Sequence, residues 1–157
     1  MKRHDHHHLK EPVGMVLLAS SIKLSNRRRV VGMLIVGNTN LKGRGVFAQK
    51  RFLKGEMIER SPVVVIPAEQ VEFLDKTVLS NYYYDWEDKG AAIALGLMSL
   101  FNHSYDPNTY YVKKFAEREV ELIAYRDIKV GEEITANYNG SPNDQSVIWF
   151  DVVDEIF

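Results

Sequence analysis

Glycine and proline cut this sequence into short β-branched runs, and that punctuation constrains the fold more than any other feature. Gly45 to Ala48, Met57 to Arg60 and Val63 to Ile66 are each bounded by Gly or Pro, and Pro62 and Pro67 confine the last run to an edge or a strand end. Val30 to Val36 is apolar and stops at Gly37-Asn38-Thr39-Asn40, which predicts a buried strand leaving through a turn. Thr109 to Phe115 and Glu119 to Tyr125 alternate, the second with Val120, Leu122 and Ala124 on one face, and predict an antiparallel pair. Helical spacing is convincing only over Ala68 to Val78, with Val71, Leu74 and Val78 on one side. Ala91 to Phe101 is almost wholly apolar and belongs in the core, as a strand or as a short helix. Two segments echo each other, Leu53 to Ile58 and Lys129 to Ile134, each a Gly turn delivering a Glu into a strand. The expected fold is mainly β with short helices.

Length and composition narrow the class. With 157 residues, 45% of them hydrophobic and 11% aromatic, the chain is one globular domain with a real core. It has no cysteine, which excludes disulfides, thiolate zinc clusters and a cysteine nucleophile, and is compatible with a reducing cytosol. The net charge of -1 gives the whole molecule no field suited to non-specific nucleic-acid binding. The charge is unevenly placed: residues 1–60 carry 13 basic and 4 acidic side chains, and residues 61–157 carry 7 and 17, for +9 and -10. A cationic partner is drawn to the second half. Val13 to Ala19 falls far short of the roughly 20 apolar residues a membrane helix needs, and reads as a surface-lying N-terminus rather than a signal peptide. His4, Asp5, His6, His7 and His8 read as a mobile tail rather than a metal site, and Arg27 to Arg29 as the solvated start of a strand rather than an acidic-partner site.

Three constellations could carry chemistry. Gly43-Arg44-Gly45-Val46-Phe47-Ala48 has the form GxGxxA, but a dinucleotide fold needs a helix directly after the glycines, and Val46 to Ala48 reads as a strand. Phe101 to Asn108, FNHSYDPN, crowds Asn102, His103, Ser104, Asp106 and Asn108 into the exit from the core, where their polar groups need a ligand or a knotted backbone as partner. A Ser/His/Asp hydrolase is conceivable from that composition, yet no GxSxG elbow is present. Gly131 to Gly140, GEEITANYNG, ends a strand on Tyr138. Rings such as Tyr82 to Tyr84, Tyr111, Trp149 and Phe150 exceed what a small core requires, so some of them line a site.

Taken in order, GRGVFA, ALGLMSLFNHSYDPN and ITANYNG resemble the SET-domain protein lysine methyltransferases, of the compact stand-alone kind found in viruses and bacteria, from about Val31 to Tyr138. The resemblance implies a β-clip of small curved sheets with the C-terminal motif threaded beneath a preceding loop as a pseudoknot. It implies a SET domain over residues 29–140, an N-terminal extension over 1–28 and an aromatic lid segment over 141–157. The implied cofactor is S-adenosylmethionine, held by Gly43, Arg44, Gly45, Asn102 and His103, with Tyr138 as catalytic residue and further cofactor contact. Tyr83, Tyr84 and Trp149 would line the lysine channel, and Trp149 and Phe150, within the lid-like Val147 to Asp151, would close the cofactor site that a cysteine-zinc segment closes in many relatives. The alternative for the two rings is a C-terminal hydrophobic anchor. The implied partner is a lysine-containing, basic protein such as a histone, and the implied location the cytoplasm, or a host nucleus for a viral or effector-like protein. A catalytically silent peptide-binding module on the same fold is the competing reading.

Overall fold

The computed structural model describes residues 32–150. The expectations for the histidine cluster, Val13 to Ala19, Arg27 to Arg29, Val30, Val31 and Asp151 fall outside those residues. Among the described residues, nine strands form one sheet, eight of them in the order β1-β2-β9-β7-β8-β3-β5-β4 and β6 pairing β9 off that path. The strands are β1 (Leu34–Asn38), β2 (Arg44–Ala48), β3 (Met57–Ile66), β4 (Tyr83–Asp85), β5 (Ala91–Ala94), β6 (Asn102–His103), β7 (Thr109–Lys114), β8 (Glu119–Ala124) and β9 (Glu133–Ala136). One α-helix, α1 (Ala68–Leu74), and three 3-10 turns complete the described elements, and no described helix is long and apolar enough to cross a membrane.

The mainly β expectation holds, and its exceptions have local causes. The apolar run ending at Val36 is not buried: it forms the edge strand β1, covered on one side only by β2, and Ile35 is 50% exposed. Gly37, expected in the turn, lies inside β1 opposite Gly45, while the reversal is made by Thr39, whose N–H and hydroxyl both donate to the Gly43 carbonyl. Met57–Arg60 and Val63–Ile66 are one strand rather than two. Pro62 stands where β3 leaves β8 for β5: it is opposite Glu119, and Val63 is opposite Ala94. The helix stops at Leu74 instead of reaching Val78, since Thr77 starts a new 3-10 turn by accepting the Leu79 N–H, and Val78 is left exposed. The apolar stretch after Gly90 is first a strand, then a turn at Gly96 (φ +78), then the 3-10 turn Met98–Leu100. Ala91, Ala92, Ala94, Met98 and Phe101 are in the core as expected, but Leu95 and Gly96 are exposed on the turn.

The two echoing segments are the same device used twice. Gly55 and Gly131 share φ +84, which favours glycine, and Glu56 and Glu132 each reach back to accept an N–H, from Leu53 and Lys129, at 3.0 Å. Phe52 and Ile128 exchange both backbone hydrogen bonds, so the turns lie side by side. The buried core runs from Val46, Phe52 and Ile58 to Leu122, Ile128 and Ile134.

Two features position the site. First, β9 pairs antiparallel with β2 and parallel with both β6 and β7, so the chain after Gly131 passes beneath the loop that joins β6 to β7. Asn108 ties this knot, accepting the Thr135 N–H at 2.9 Å and donating to the Glu133 carbonyl at 2.6 Å. The threaded motif expected from the sequence is thus in place. Second, the sheet curls until β4 meets β7, although β8, β3 and β5 lie between them. Tyr84 meets Tyr111 edge-on at 5.1 Å, and the Lys113 ammonium donates to the Asp85 carbonyl at 2.7 Å.

Candidate active site

Two cavities share Tyr138 as a wall residue. The larger, about 480 Å³, lies inside the curl and is walled by Tyr82, Tyr83, Tyr84, Tyr111, Phe101 and Tyr138, with Asp75, Asp85 and Lys113 among its polar groups. The smaller, about 330 Å³, is bordered by Lys42, Arg44, Asn102, Leu100 and Phe150. Tyr82, Ser99, Phe101, Tyr138 and Trp149 border both.

In the larger cavity three tyrosine hydroxyls are turned onto main-chain carbonyls. Tyr138 donates to Phe101 at 2.5 Å, Tyr84 to Met98 at 2.6 Å and Tyr111 to Tyr138 at 3.1 Å. The rings are thereby fixed with their polar tips satisfied, leaving apolar faces as wall. Burial pushes the Tyr138 hydroxyl up to about 12, helped by Tyr111, Tyr82 and Glu133, so at neutral pH it is a donor and not a base. Burial also raises Tyr111, and raises Tyr84 well above the ordinary tyrosine value. Lys113 is lowered by burial, against the opposing pull of Asp85. Tyr83 sits at the rim, its hydroxyl held by Asp75 at 3.0 Å, while Tyr84 is deeper.

The smaller cavity is built by the glycine loop and the knot. The Asn102 amide donates to the Arg44 carbonyl at 2.9 Å and to Glu133 at 2.7 Å. A Cβ on Gly45 would stand 2.6 Å from Glu133 Oε1 and 2.8 Å from Thr39 Cγ2, so any larger residue would displace the Glu133 and Thr39 side chains; Gly43 is favoured for another reason, its φ of +76. The strand β2 follows these glycines directly, which removes the dinucleotide reading. His103 lies behind the cavity wall. Its Nδ1 accepts the Tyr138 N–H at 3.1 Å, and its ring meets Tyr105 and Tyr138 edge-on, so its side chain props Tyr138. Ser104 accepts from the Asp106 N–H in a tight turn, so the three residues form no hydrolytic triad.

The C-terminal rings come to the same place. Trp149 stacks on Tyr138 at 6.0 Å with 21° between the planes and borders both cavities, whereas Phe150 borders only the smaller and meets His103, Tyr138 and Trp149 edge-on. Ile148 is buried and anchors the segment. Arg44, Asn102, Tyr138, Trp149, Phe150, Tyr83 and Tyr84 are therefore brought together on cavity surfaces, while Gly43, Gly45 and His103 support those surfaces from outside. Among the described residues no cluster of three metal-ligating side chains is present. Sequence reasoning counts Tyr111 among the surplus rings without giving it a place in the site, and misses Phe101 and Glu133. Tyr111 is signalled by its register, opposite buried Leu122, and Glu133 as the extra acid in GEE where the matching turn has a single Glu.

Residues 43–139 match the family model of the SET domain. The chain belongs to the SET-domain family of protein-lysine methyltransferases. This SET protein is 35% identical over 119 residues to the histone-lysine N-methyltransferase, H3 lysine-37 specific, of Schizosaccharomyces pombe, covering 75% of this chain and 77% of that one. It is 27% identical over 143 residues to the histone-lysine N-methyltransferase TRX1 of rice, covering 83% of this chain but 14% of that much longer protein. Among solved structures, a candidate histone methyltransferase of Plasmodium falciparum superposes with a TM-score of 0.57 at 30% identity, covering 69% of this SET protein and 95% of that chain. A humanized mutant of the Chaetomium thermophilum Polycomb Repressive Complex 2, bound to the inhibitor GSK126, shares the fold with a TM-score of 0.58 at 23% identity, over 67% of this chain and 14% of that one.

Proposed function

We propose that this SET protein transfers a methyl group from S-adenosylmethionine to the side-chain amine of a lysine in a basic protein, histones among the candidates. The observation that carries the reading is the pair of cavities meeting at Tyr138, one polar and cationic, the other aromatic. The smaller suits a zwitterionic methyl donor: Lys42 and Arg44 match a carboxylate, the Asn102 amide its polar end, and Trp149 and Phe150 a planar base. Bound there, the donor supplies an electrophilic methyl group.

The protein's share of the work is deprotonation and aim. A lysine amine has an ordinary pKa of about 10.4 and cannot attack as an ammonium. Desolvation among the rings of the larger cavity favours loss of its proton, and the ring faces accept both the methylene stem and the arriving cation. Tyr138 and the Phe101 carbonyl, at the junction, hold the reacting atoms in line. In this reading residues 29–140 are the catalytic domain and 141–157 the lid.

Isothermal titration tests the reading. S-adenosylmethionine is expected to bind and nicotinamide dinucleotides are not; a folded protein that fails to bind the methyl donor at millimolar concentration overturns it in favour of the silent module. Incubation with labelled donor and histones then identifies the acceptor.

The charge pattern yields a further expectation. Asp75 and Asp85 border the larger cavity, and Glu69, Glu72, Glu87 and Asp88 are exposed on the adjoining segments, so a lysine-rich substrate is steered there. Catalytic efficiency on a basic peptide should fall as salt shortens the screening length below about 8 Å. Neutralising Glu87 and Asp88 together should flatten that dependence, and equal salt profiles for both proteins would detach the charge from substrate choice.

A further inference from the structure

One inward-facing carboxylate has no part in the mechanism above. Glu59 lies on β3, and its Oε1 accepts the Leu97 N–H at 2.9 Å and the Ser61 hydroxyl at 2.7 Å. Its Oε2 is buried and has no hydrogen-bond partner, an arrangement that costs free energy and that an apolar residue would avoid. The turn above it is built around it. Gly96 has φ +78, and a Cβ there would stand 2.8 Å from Glu59 Oε1 and 3.1 Å from the Ser61 hydroxyl. The chain that leaves this turn supplies the Met98 carbonyl that holds Tyr84 and the Phe101 carbonyl that holds Tyr138, and Ser99 and Phe101 form the wall between the two cavities.

We infer that Glu59 is a positioning residue for methyl transfer, setting through the Leu97 N–H the place of the 97–101 wall and hence of the Tyr84 and Tyr138 hydroxyls. The inference rests on the methyl-transfer reading for its kinetic consequence, though not for its structural one. The anchors of the smaller cavity do not pass through this turn, since Asn102 is held by Arg44 and Glu133. Ser99, Leu100 and Phe101 also line the smaller cavity, so loss of Glu59 acts mainly on turnover and to a lesser degree on the donor's affinity, whose polar anchors stay in place. What matters is the acceptor oxygen at Oε1, not the charge, because Glu59→Gln would keep that oxygen on the Leu97 N–H and replace the unpartnered oxygen by an amide nitrogen.

The test uses the full chain with Glu59→Leu, Glu59→Gln and Gly96→Ala. In Glu59→Leu the kcat is expected to fall ~10-fold or more, with a smaller rise in the donor's dissociation constant, because small misplacements of reacting groups are costly in rate. Glu59→Gln should recover most of the lost kcat, and Gly96→Ala, which pushes on the same contact, should mimic Glu59→Leu. Hydrogen exchange at the Leu97 amide, with the ring resonances of Tyr84 and Tyr138, reads the same contact without turnover: protection lost and rings shifted in Glu59→Leu, both restored in Glu59→Gln. Unchanged exchange and rings in Glu59→Leu, or a Gln variant as impaired as the Leu variant, overturns the inference. A protein that shows the exchange pattern but methylates nothing counts against the methyl-transfer reading alone.

Discussion

Tyr138→Phe should lower kcat by about 10²-fold or more while leaving donor affinity within a few-fold, because it deletes one oriented hydroxyl at the junction of the cavities and nothing else. The ring stays, still stacked on Trp149 and propped by His103. Stability should drop by about 1 kcal/mol, the net worth of one hydrogen bond, here the one to the Phe101 carbonyl. Since burial holds this hydroxyl at about 12, the unmodified enzyme's rate should show no break from Tyr138 across the neutral range, and the variant's pH profile should keep its shape while losing height. Single-turnover kinetics with labelled donor measure both, and near-normal turnover would remove Tyr138 from the chemistry.

The second large effect concerns the C-terminal rings. Ending the chain after Val147 removes both the buried Ile148 and the two rings, so it conflates anchor and lid. Ending it after Ile148 separates them. That truncation keeps the anchor and deletes Trp149 and Phe150, 67% and 42% exposed, together with residues 151–157, and the double variant Trp149→Ala, Phe150→Ala removes the two rings alone. Donor affinity and turnover are expected to fall at least ~10-fold, the scale of a lost aromatic stack or two of roughly 1 kcal/mol each, with little change in melting temperature. A truncated protein that binds the donor normally, or one that unfolds, would return the segment to the role of anchor.

The parts of the fold legible in the sequence are those set by local chemistry. The β7–β8 hairpin is readable from alternation, the paired Gly-Glu turns from their repeated spelling, and the knot from the polar crowding between Asn102 and Asn108. Misreadings arise where tertiary position overrides local preference. The apolar spelling of β1 describes a strand but not how many neighbours it has, and burial of an edge strand depends on the latter. Pro62 reads as a boundary, whereas a long strand can exchange partners at a residue with no N–H to donate. In the site, Tyr111 comes singly from β7, outside the motifs, and Glu133 lies inside Gly131–Gly140 but reads there as one more acid of the turn, so neither is assigned. Their roles arise only when β7 and β9 are brought together around the knot.

The curl of the sheet gives the larger cavity a bore that can be adjusted from a distance. Its walls at β4 and β7 are joined the long way round, through β8, β3 and β5, so the bore behaves like that of a split collar whose diameter depends on the bend of the whole band. Neighbouring strands rotate by roughly 20 to 25° each, and a small change of twist at any joint adds up across the intervening strands. Ala92 and Ala94 of β5, small and buried in the band, lie where such a change would be made, Ala92 directly opposite Tyr84 of the cavity wall. The Lys113 to Asp85 bond and the Tyr84 to Tyr111 contact then act as the clasp. A substitution within the band can therefore alter the bore of the larger cavity without replacing any of the rings that wall it.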